Sequence, residues 1–157
     1  MKGIIIYLHL ETYLRQWLTH RLGTPVRFPD RSYENALLLR LISRPSGGSK
    51  PPTTICPPDS VPIIVPDCAR RRPEYYCALT RRAQSQMARA VDNLFRLHLW
   101  SECAHLIHTR RLNQGLDEWC ARQGIAIDYR EAVRQKFYRM RRAYEEKGIF
   151  LRKRLPR

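Results

Sequence analysis

The chain has 157 residues and a hydrophobic content of 43%, which is enough for one compact core and excludes a disordered chain. Its 29 basic and 14 acidic residues give a formal net charge of +15, more than solubility requires, and this favours a partner that is negative over a long surface. No stretch approaches the roughly 20 apolar residues of a membrane span, so we expect no membrane association.

The basic and sulfur-containing residues narrow the class of protein. Of the 29 basic residues 24 are arginines, whose guanidinium forks hold phosphate bidentately and stack on bases; a GC-rich genome also produces such a bias. The five cysteines are odd in number and form no CxxC pair, which predicts reduced thiols in a cytoplasmic protein. The N-terminal residues contain no small-residue cleavage site, so we expect no signal peptide.

The N-terminal part predicts alternating strands and helices. GIIIYLHL (3–10) is short, apolar and β-branched, which predicts a buried strand. In LETYLRQWLTHRLG (10–23) apolar residues recur every three or four positions, which predicts a helix ending at Gly23. TPVRF (24–28) predicts a short strand, and ALLLRLIS (36–43) a buried helix or strand.

A proline-rich connection follows. Eight of the eleven prolines lie between positions 45 and 73, which predicts an irregular, partly polyproline segment. Within it only VPIIVP (61–66) reads as a strand, and we place it at a sheet edge because proline cannot donate to the ladder.

The rest of the chain predicts three helices. The first covers about 80–108 and the second about 112–123, where Gly124 breaks it. Asp128 and Glu131 form a capping-box pattern that opens the third helix, and Gly148 marks its end. The apolar stripe of the first helix comprises Ala83, Met87, Ala90, Val91, Leu94, Leu97 and Ile107.

These elements predict an α+β fold. It consists of an N-terminal strand and helix layer, a proline-rich connection and a C-terminal three-helix unit with a helix-turn-helix-like hairpin. We place the N-terminal portion at 1–79, the helical portion at 80–148 and a basic tail at 149–157, together forming one compact unit.

The third helix has an apolar and a basic side. Tyr129, Val133, Phe137, Met140 and Tyr144 recur at helical spacing and predict the side that docks on the core. From position 130 to the end the net charge is +8, concentrated on the remaining sides and the tail. Such a helix suits a duplex backbone, since each neutralised phosphate releases counterions.

The segment LDEWCARQGIAIDYREAVRQKFYRMRRAY (116–144) resembles the helix-turn-helix of DNA-binding proteins, in which the second helix lies in the major groove. The packing residues would be Leu116, Trp119, Ile125, Ile127, Val133 and Phe137. The resemblance implies that Arg130 and Arg134 read bases, and that Arg141, Arg142 and the tail bind phosphates. The predicted contacts here are Arg130, Arg134, Lys136, Tyr138, Arg141, Arg142, Arg152, Lys153 and Arg154.

Two other basic stretches extend this prediction. Arg70, Arg71 and Arg72 precede Tyr75 and Tyr76, a pattern that grips nucleic acid by charge and stacking. The alternative is a charged loop whose tyrosines pack back on the core. Arg110 and Arg111, between two predicted helices, would extend the basic surface.

Metal binding and catalysis are weaker interpretations. His98, Cys103, His105 and His108, with Cys120 as a further ligand, lie mostly on a helix where Cys103 points away, so we expect no metal or cofactor. Asp67 and Glu74 resemble the acids of PD-(D/E)xK nucleases. Position 76, where that pattern requires lysine, is tyrosine, so we expect no enzyme.

The leading prediction is therefore a nucleic-acid-binding protein, with duplex DNA favoured over RNA, acting as a regulatory or replication/recombination accessory factor of a phage or mobile element. The first alternative is a docking subunit of a nucleoprotein complex, including an RNA-binding accessory, anchored by Trp17, Trp100 and Trp119. The second is a metal-dependent nuclease. Homo-oligomerisation is compatible with each.

Overall fold

The computed structural model describes residues 3–46 and 55–148. Within these ranges the fold is α+β and dominated by helix, as predicted, with five α-helices and a two-stranded antiparallel sheet. The elements are β1 Ile5–His9, α1 Thr12–Leu22, α2 Tyr33–Leu41, β2 Ser60–Ile64, α3 Arg81–Cys103, α4 Leu112–Arg122 and α5 Arg130–Glu146.

The chain packs as two compact units, the first ending at Leu94 and the second beginning at Phe95. This division lies inside α3, whereas the composition of the sequence placed the change at residue 79 within a single unit. The difference arises because the beginning of α3 is bound to β1 through Gln84. The predicted tail at 149–157 lies outside the described residues.

The sheet of the first unit tolerates a proline within β2. The strands pair antiparallel from Ile5 opposite Ile64 to His9 opposite Ser60. The carbonyl of Pro62 accepts a hydrogen bond from the Val26 amide at 2.8 Å, on the side of β2 away from β1. The N–H that proline lacks would also point to that side, so the β1–β2 ladder loses no bond. The strand predicted at 24–28 is reduced to a single bridge at Val26.

A side chain of α3 closes the other edge of the sheet. Gln84 Nε2 donates to the Tyr7 carbonyl at 2.7 Å, and the His9 amide donates to Gln84 Oε1 at 3.3 Å. One amide group thereby satisfies two backbone groups that a neighbouring strand would otherwise pair. This contact ties the beginning of α3 to β1.

The helices of the first unit follow their predicted patterns. Tyr13, Leu14, Trp17 and Leu18 of α1 are buried, and Gly23 has a φ of 83° and donates its N–H to the Thr19 carbonyl. The ambiguous run ALLLRLIS is helical up to Leu41, in a helix that Ser32 caps by accepting a hydrogen bond from the Asn35 amide at 3.2 Å.

The second unit contains the end of α3, α4 and α5, with short 3₁₀ helices at Ala104–Leu106 and Ile127–Tyr129. Trp119 is 1% exposed and packs edge-on against Phe95, with ring centroids 5.7 Å apart. Trp100 stacks on Phe137 at 5.3 Å. The core side chains are Phe95, Leu99, Cys103, Leu116, Trp119, Cys120, Ile125, Val133, Phe137 and Met140.

Three sequence predictions in this region are wrong. The helix expected to reach residue 108 ends at Cys103, where the 3₁₀ turn begins. Leu97 is 68% exposed, because the buried stripe continues from Val91 in steps of four through Phe95 and Leu99. Ile127, expected to pack the helix pair, is 69% exposed.

The capping box predicted at the start of α5 does not form. The helix begins at Arg130, and its N-cap residue Tyr129 makes no side-chain cap. The carboxylate of Glu131 instead accepts hydrogen bonds from Gln135 at 2.8 Å and Arg134 at 3.3 Å, which keeps it from reaching back. Asp128 lies within the preceding 3₁₀ helix.

Candidate nucleic-acid interface

The α4–α5 pair is held by two polar contacts. Arg134 Nε donates to Asp117 Oδ1 at 2.9 Å, and Arg134 Nη2 bonds to the other oxygen of the same carboxylate. The Tyr138 hydroxyl donates to Asn113 Oδ1. Asn113 precedes Asp117 by one turn of α4, and Tyr138 follows Arg134 by one turn of α5. The two helices therefore run antiparallel.

The contacts persist away from the connection between the helices. Tyr138 lies about 12 Å along α5 from its first residue, at 1.5 Å per residue, where helices crossing at 90–120° would have diverged. The connection, residues 123–129, is longer than the three to four residues of a compact helix-turn-helix. These contacts are those of an antiparallel helical hairpin, and the helix-turn-helix resemblance stays a prediction.

Arg134, a predicted base-reading residue, stabilises this hairpin. Its guanidinium forms a bidentate pair with Asp117 and a further contact to Glu131 at 3.3 Å. The hydrogen bond to Asp117 is the main cause that raises the pKa of Arg134. Reading a base would require the fork to leave Asp117.

The other predicted cations of α5 differ in availability. Arg141 Nε donates to Glu145 at 3.0 Å, and Lys136 Nζ lies 6.0 Å from the Phe95 ring centroid. Arg130 is half-buried, and its Nε is buried with no hydrogen-bond partner among the described residues. Arg142 is exposed and pairs with no carboxylate in the described part of the chain.

Arg139, which we did not predict as a contact, is equally available. It is exposed and meets no carboxylate within residues 3–46 and 55–148. The outward stripe of α5, read at helical spacing, comprises Glu131, Gln135, Arg139, Arg142 and Glu146. The two arginines are neighbours in this stripe and a glutamate stands at each of its ends, so this stripe alone is not a continuous cationic ridge.

Further exposed arginines flank α4. Arg110 and Arg111 directly precede the helix, between α3 and α4 as predicted, and Arg122 is its last residue. None of the three pairs with a carboxylate of the described chain. Arg152, Lys153 and Arg154, also predicted to contact nucleic acid, lie outside the described residues.

In the first unit Arg71 completes the C-terminus of α2. Its Nη1 lies 3.0 Å from the Leu39 carbonyl oxygen, 2.9 Å from that of Arg40 and 3.3 Å from that of Ile42. The last carbonyls of a helix have no intrahelical donor, and a cation near them is favourable. Because Nη1 carries two hydrogens, these bonds include a shared one. Arg71 is a structural residue as well as a cation.

Tyr76 packs against two guanidinium groups. The Cζ atom of Arg44 lies 5.3 Å from the ring centroid and that of Arg71 lies 5.8 Å from it. An antiparallel bridge makes this possible: the Ser43 amide donates to the Ala78 carbonyl at 2.9 Å, and the Ala78 amide returns a bond at 3.1 Å.

Two distant stretches therefore form one group, which we name the arginine–tyrosine cluster; its members are Arg40, Arg44, Arg70, Arg71, Arg72, Tyr75 and Tyr76. The stretches 40–44 and 67–78 contain five arginines and two carboxylates, Asp67 and Glu74. Both carboxylates are exposed, and neither pairs with an arginine of the described chain. Sequence reasoning missed Arg40 and Arg44, because only the Ser43–Ala78 bridge brings them near Arg71.

Metal and thiol chemistry receive no support from the described side chains. Within residues 3–46 and 55–148 no three histidine, cysteine or acidic side chains meet as metal ligands, and His98 Nε2 lies 3.2 Å from Glu102. All five cysteines are free. Burial raises the pKa of Cys103 to about 12, helped by the adjacent Cys120, and burial raises that of Cys120 to about 11. Both thiols therefore stay protonated near neutral pH.

The alternative based on tryptophan anchors loses two of its three residues. Trp17 is fully buried and Trp119 is 1% exposed, so neither is available as an interface anchor.

None of the described helices combines the length and apolarity needed to traverse a lipid bilayer. Comparison with family models, with curated proteins and with solved structures gives no match.

Proposed function

We propose that this protein binds duplex DNA through the exposed cations of its second unit, acting by binding rather than catalysis. The proposal rests on which charged side chains of that unit are paired with a group of opposite charge and which are not. Residues 95–148 contain eleven basic and seven acidic side chains. Asp117, Glu131 and Glu145 are engaged by Arg134 and Arg141. The exposed cations without a carboxylate among the described residues are Arg110, Arg111, Arg122, Arg139, Arg142 and Lys147.

These cations are suited to phosphate contacts rather than to reading base edges. They are spread over α4, α5 and the connection before α4, while Arg134, the base-reading candidate, is held by Asp117. Phosphate contacts position a protein on a duplex without selecting its sequence. We therefore expect affinity that depends weakly on sequence and steeply on salt.

The tail residues Arg152, Lys153 and Arg154 would add to the same affinity. The cytoplasmic location and the role as a regulatory or replication/recombination accessory factor of a phage or mobile element belong to this proposal, supported by composition alone. RNA binding is separated from duplex DNA binding by repeating the assay below with an RNA duplex of equal length.

The test compares two variants with equal loss of charge. Arg139→Ala/Arg142→Ala removes two exposed cations of α5, and Arg27→Ala/Arg31→Ala removes two exposed cations of the first unit. Binding of a labelled DNA duplex is measured by fluorescence anisotropy over a range of salt concentrations. The α5 variant should lower the slope of log K against log salt by about 2, at about 0.9 per phosphate contact. The control should lower it less, and an α5 variant that binds like the wild type would contradict the proposal.

A further inference from the structure

The arginine–tyrosine cluster has an exposed aromatic ring that the fold does not use. Tyr75 is 61% exposed, and its ring contacts no other aromatic or cationic group of the described chain. Its backbone is nevertheless held, because its amide donates to the Arg72 carbonyl at 3.0 Å. The next residue, Tyr76, makes the same contact at 2.9 Å and faces inward to Arg44 and Arg71. Tyr76 therefore packs within the cluster, whereas Tyr75 is exposed to solvent.

The arginines of the cluster are accessible to solvent. Arg40, Arg44, Arg70 and Arg72 are exposed, and none pairs with a carboxylate of the described chain. Arg71 holds the loop against α2 through carbonyl oxygens, which orient a guanidinium without cancelling its charge. An exposed ring and exposed guanidinium groups within the same cluster offer stacking and phosphate contacts to one ligand.

We propose that the arginine–tyrosine cluster binds single-stranded nucleic acid, with Tyr75 stacking on a base and Arg44, Arg70 and Arg72 contacting the adjoining phosphates. Arg71 is a positioning residue that fixes the loop on the end of α2. The residues of this site belong to the first unit, and the proposal does not depend on duplex binding by the cations of the second unit.

The exposed ring favours a single strand over the other polyanions. In a duplex the base faces are stacked on one another, so Tyr75 would find a free face only at an end. An acidic peptide would satisfy the arginines but would leave the ring without a planar partner. A single strand satisfies both kinds of group, and every base supplies a π-face, so we expect little sequence preference.

The test uses the full chain and three labelled or competing probes: an oligothymidylate, a DNA duplex of equal length and a poly-glutamate peptide. Tyr75→Ala should weaken binding of the oligothymidylate by about 5- to 150-fold, the range for losing one stacked base. Tyr75→Phe keeps the ring and should stay within about twofold of the wild type. Tyr33→Ala is the matched control, because Tyr33 is 66% exposed in the same unit but lies outside the cluster; it should change nothing.

Charge and fold are checked separately. Arg70→Ala/Arg72→Ala should lower the salt slope for the single strand by about 1.4, at about 0.7 per phosphate. Circular dichroism of each variant establishes that the fold is kept. Should Tyr75→Ala unfold the protein, Tyr75→Leu serves instead, because it keeps an apolar side chain without a π-face.

Each outcome decides the proposal. Undiminished single-strand affinity in Tyr75→Ala overturns it, as does equal loss for the duplex or displacement by poly-glutamate at matched charge. Arg139→Ala/Arg142→Ala should leave the effect of Tyr75→Ala on the oligothymidylate intact. If only duplex binding fails, the proposed function is contradicted and the single-strand site is not. If only single-strand binding fails, the single-strand site is contradicted and the proposed function is not.

Discussion

Helix α5 and the arginine–tyrosine cluster have similar numbers of arginines but hold them in different ways. In α5, Arg134 and Arg141 pair with the carboxylates of Asp117, Glu131 and Glu145. In the cluster, Arg71 is held by backbone carbonyl oxygens, and Arg44 and Arg71 by the ring of Tyr76. A carboxylate neutralises the guanidinium that it orients, whereas a carbonyl or a ring orients it and leaves the charge. Charge density along a sequence therefore differs from charge that a partner can reach.

The largest effect expected from this difference is on stability at Arg71. Arg71→Ala leaves the last carbonyls of α2 without a donor and should lower the free energy of unfolding by about 2 to 3 kcal/mol. Arg70→Ala, next to it and exposed, should stay within about 0.5 kcal/mol of the wild type. Chemical denaturation gives the totals, and hydrogen exchange of the α2 amides localises the loss. Equal effects of the two substitutions would contradict the structural role of Arg71.

The second unit should also lose stability at alkaline pH. Cys103 and Cys120 have pKa values raised from 9.0 to about 12 and about 11, mainly by burial. The folded state thus keeps both thiols protonated, while the unfolded state ionises them above about pH 9. Their contribution is complete below that pH and is lost as the pH rises toward 11 to 12, by about 1 kcal/mol per cysteine between pH 8 and pH 10.

Denaturation at pH 8 and pH 10 measures this loss. Cys103→Ala lowers stability at both values because the side chain is buried, but the difference between the two values should be smaller than in the wild type. An unchanged difference would show that this thiol does not drive the alkaline loss.

The Arg134–Asp117 pair should couple α4 to α5 by about 1 kcal/mol, since it is bidentate but partly exposed to solvent. A double-mutant cycle with Arg134→Ala and Asp117→Ala isolates this energy. Arg142→Ala, on the same helix without a carboxylate partner in the described chain, should leave stability nearly unchanged. A coupling near zero would mean that Asp117 does not hold Arg134. Arg134 would then be available to a partner, as the arginines of the cluster are.

The smallest effect is expected for Arg141 and Glu145. They form a pair one turn apart on α5, with side chains that are 36% and 48% exposed, and such pairs contribute about 0.3 to 0.5 kcal/mol. Arg141→Ala should therefore cost little stability at low salt and almost none at high salt. A loss that is independent of salt would indicate that the arginine stem packs on the core instead.

Periodicity predicted most of the elements correctly. β1, α1, α4 and the strand within the proline-rich connection lie where apolar spacing and glycine signals placed them, because those signals act between neighbouring residues. The run at 36–43 is ambiguous from its apolar pattern alone, and the cap that Ser32 gives α2 lies outside that run. The start of α5 was mispredicted because the Glu131 carboxylate binds Gln135 and Arg134. These side chains compete with the backbone N–H that a capping box would have used.

The sites were less accessible to sequence reasoning than the fold. Arg142 could be found from its place opposite the buried face of α5, but nothing local indicates that Asp117, seventeen residues earlier, takes Arg134. Arg40 and Arg44 are separated from Arg71 by most of the proline-rich connection, and a single backbone bridge brings them together. Pairing between distant segments produces no periodic pattern in the sequence. The loop at 70–76 therefore does not by itself indicate that Arg40 and Arg44 belong to the cluster.

The hydrogen bonds of Gln84 bear on where an N-terminal fragment of this protein should end. A fragment ending at residue 79, where the composition changes, would strip Tyr7 and His9 of their side-chain partner and leave a bare strand flank that recruits other copies. It would also uncover the core that Ala83, Met87 and Val91 close. A fragment ending near residue 94 keeps these groups and is the one to purify when the N-terminal half is studied by itself.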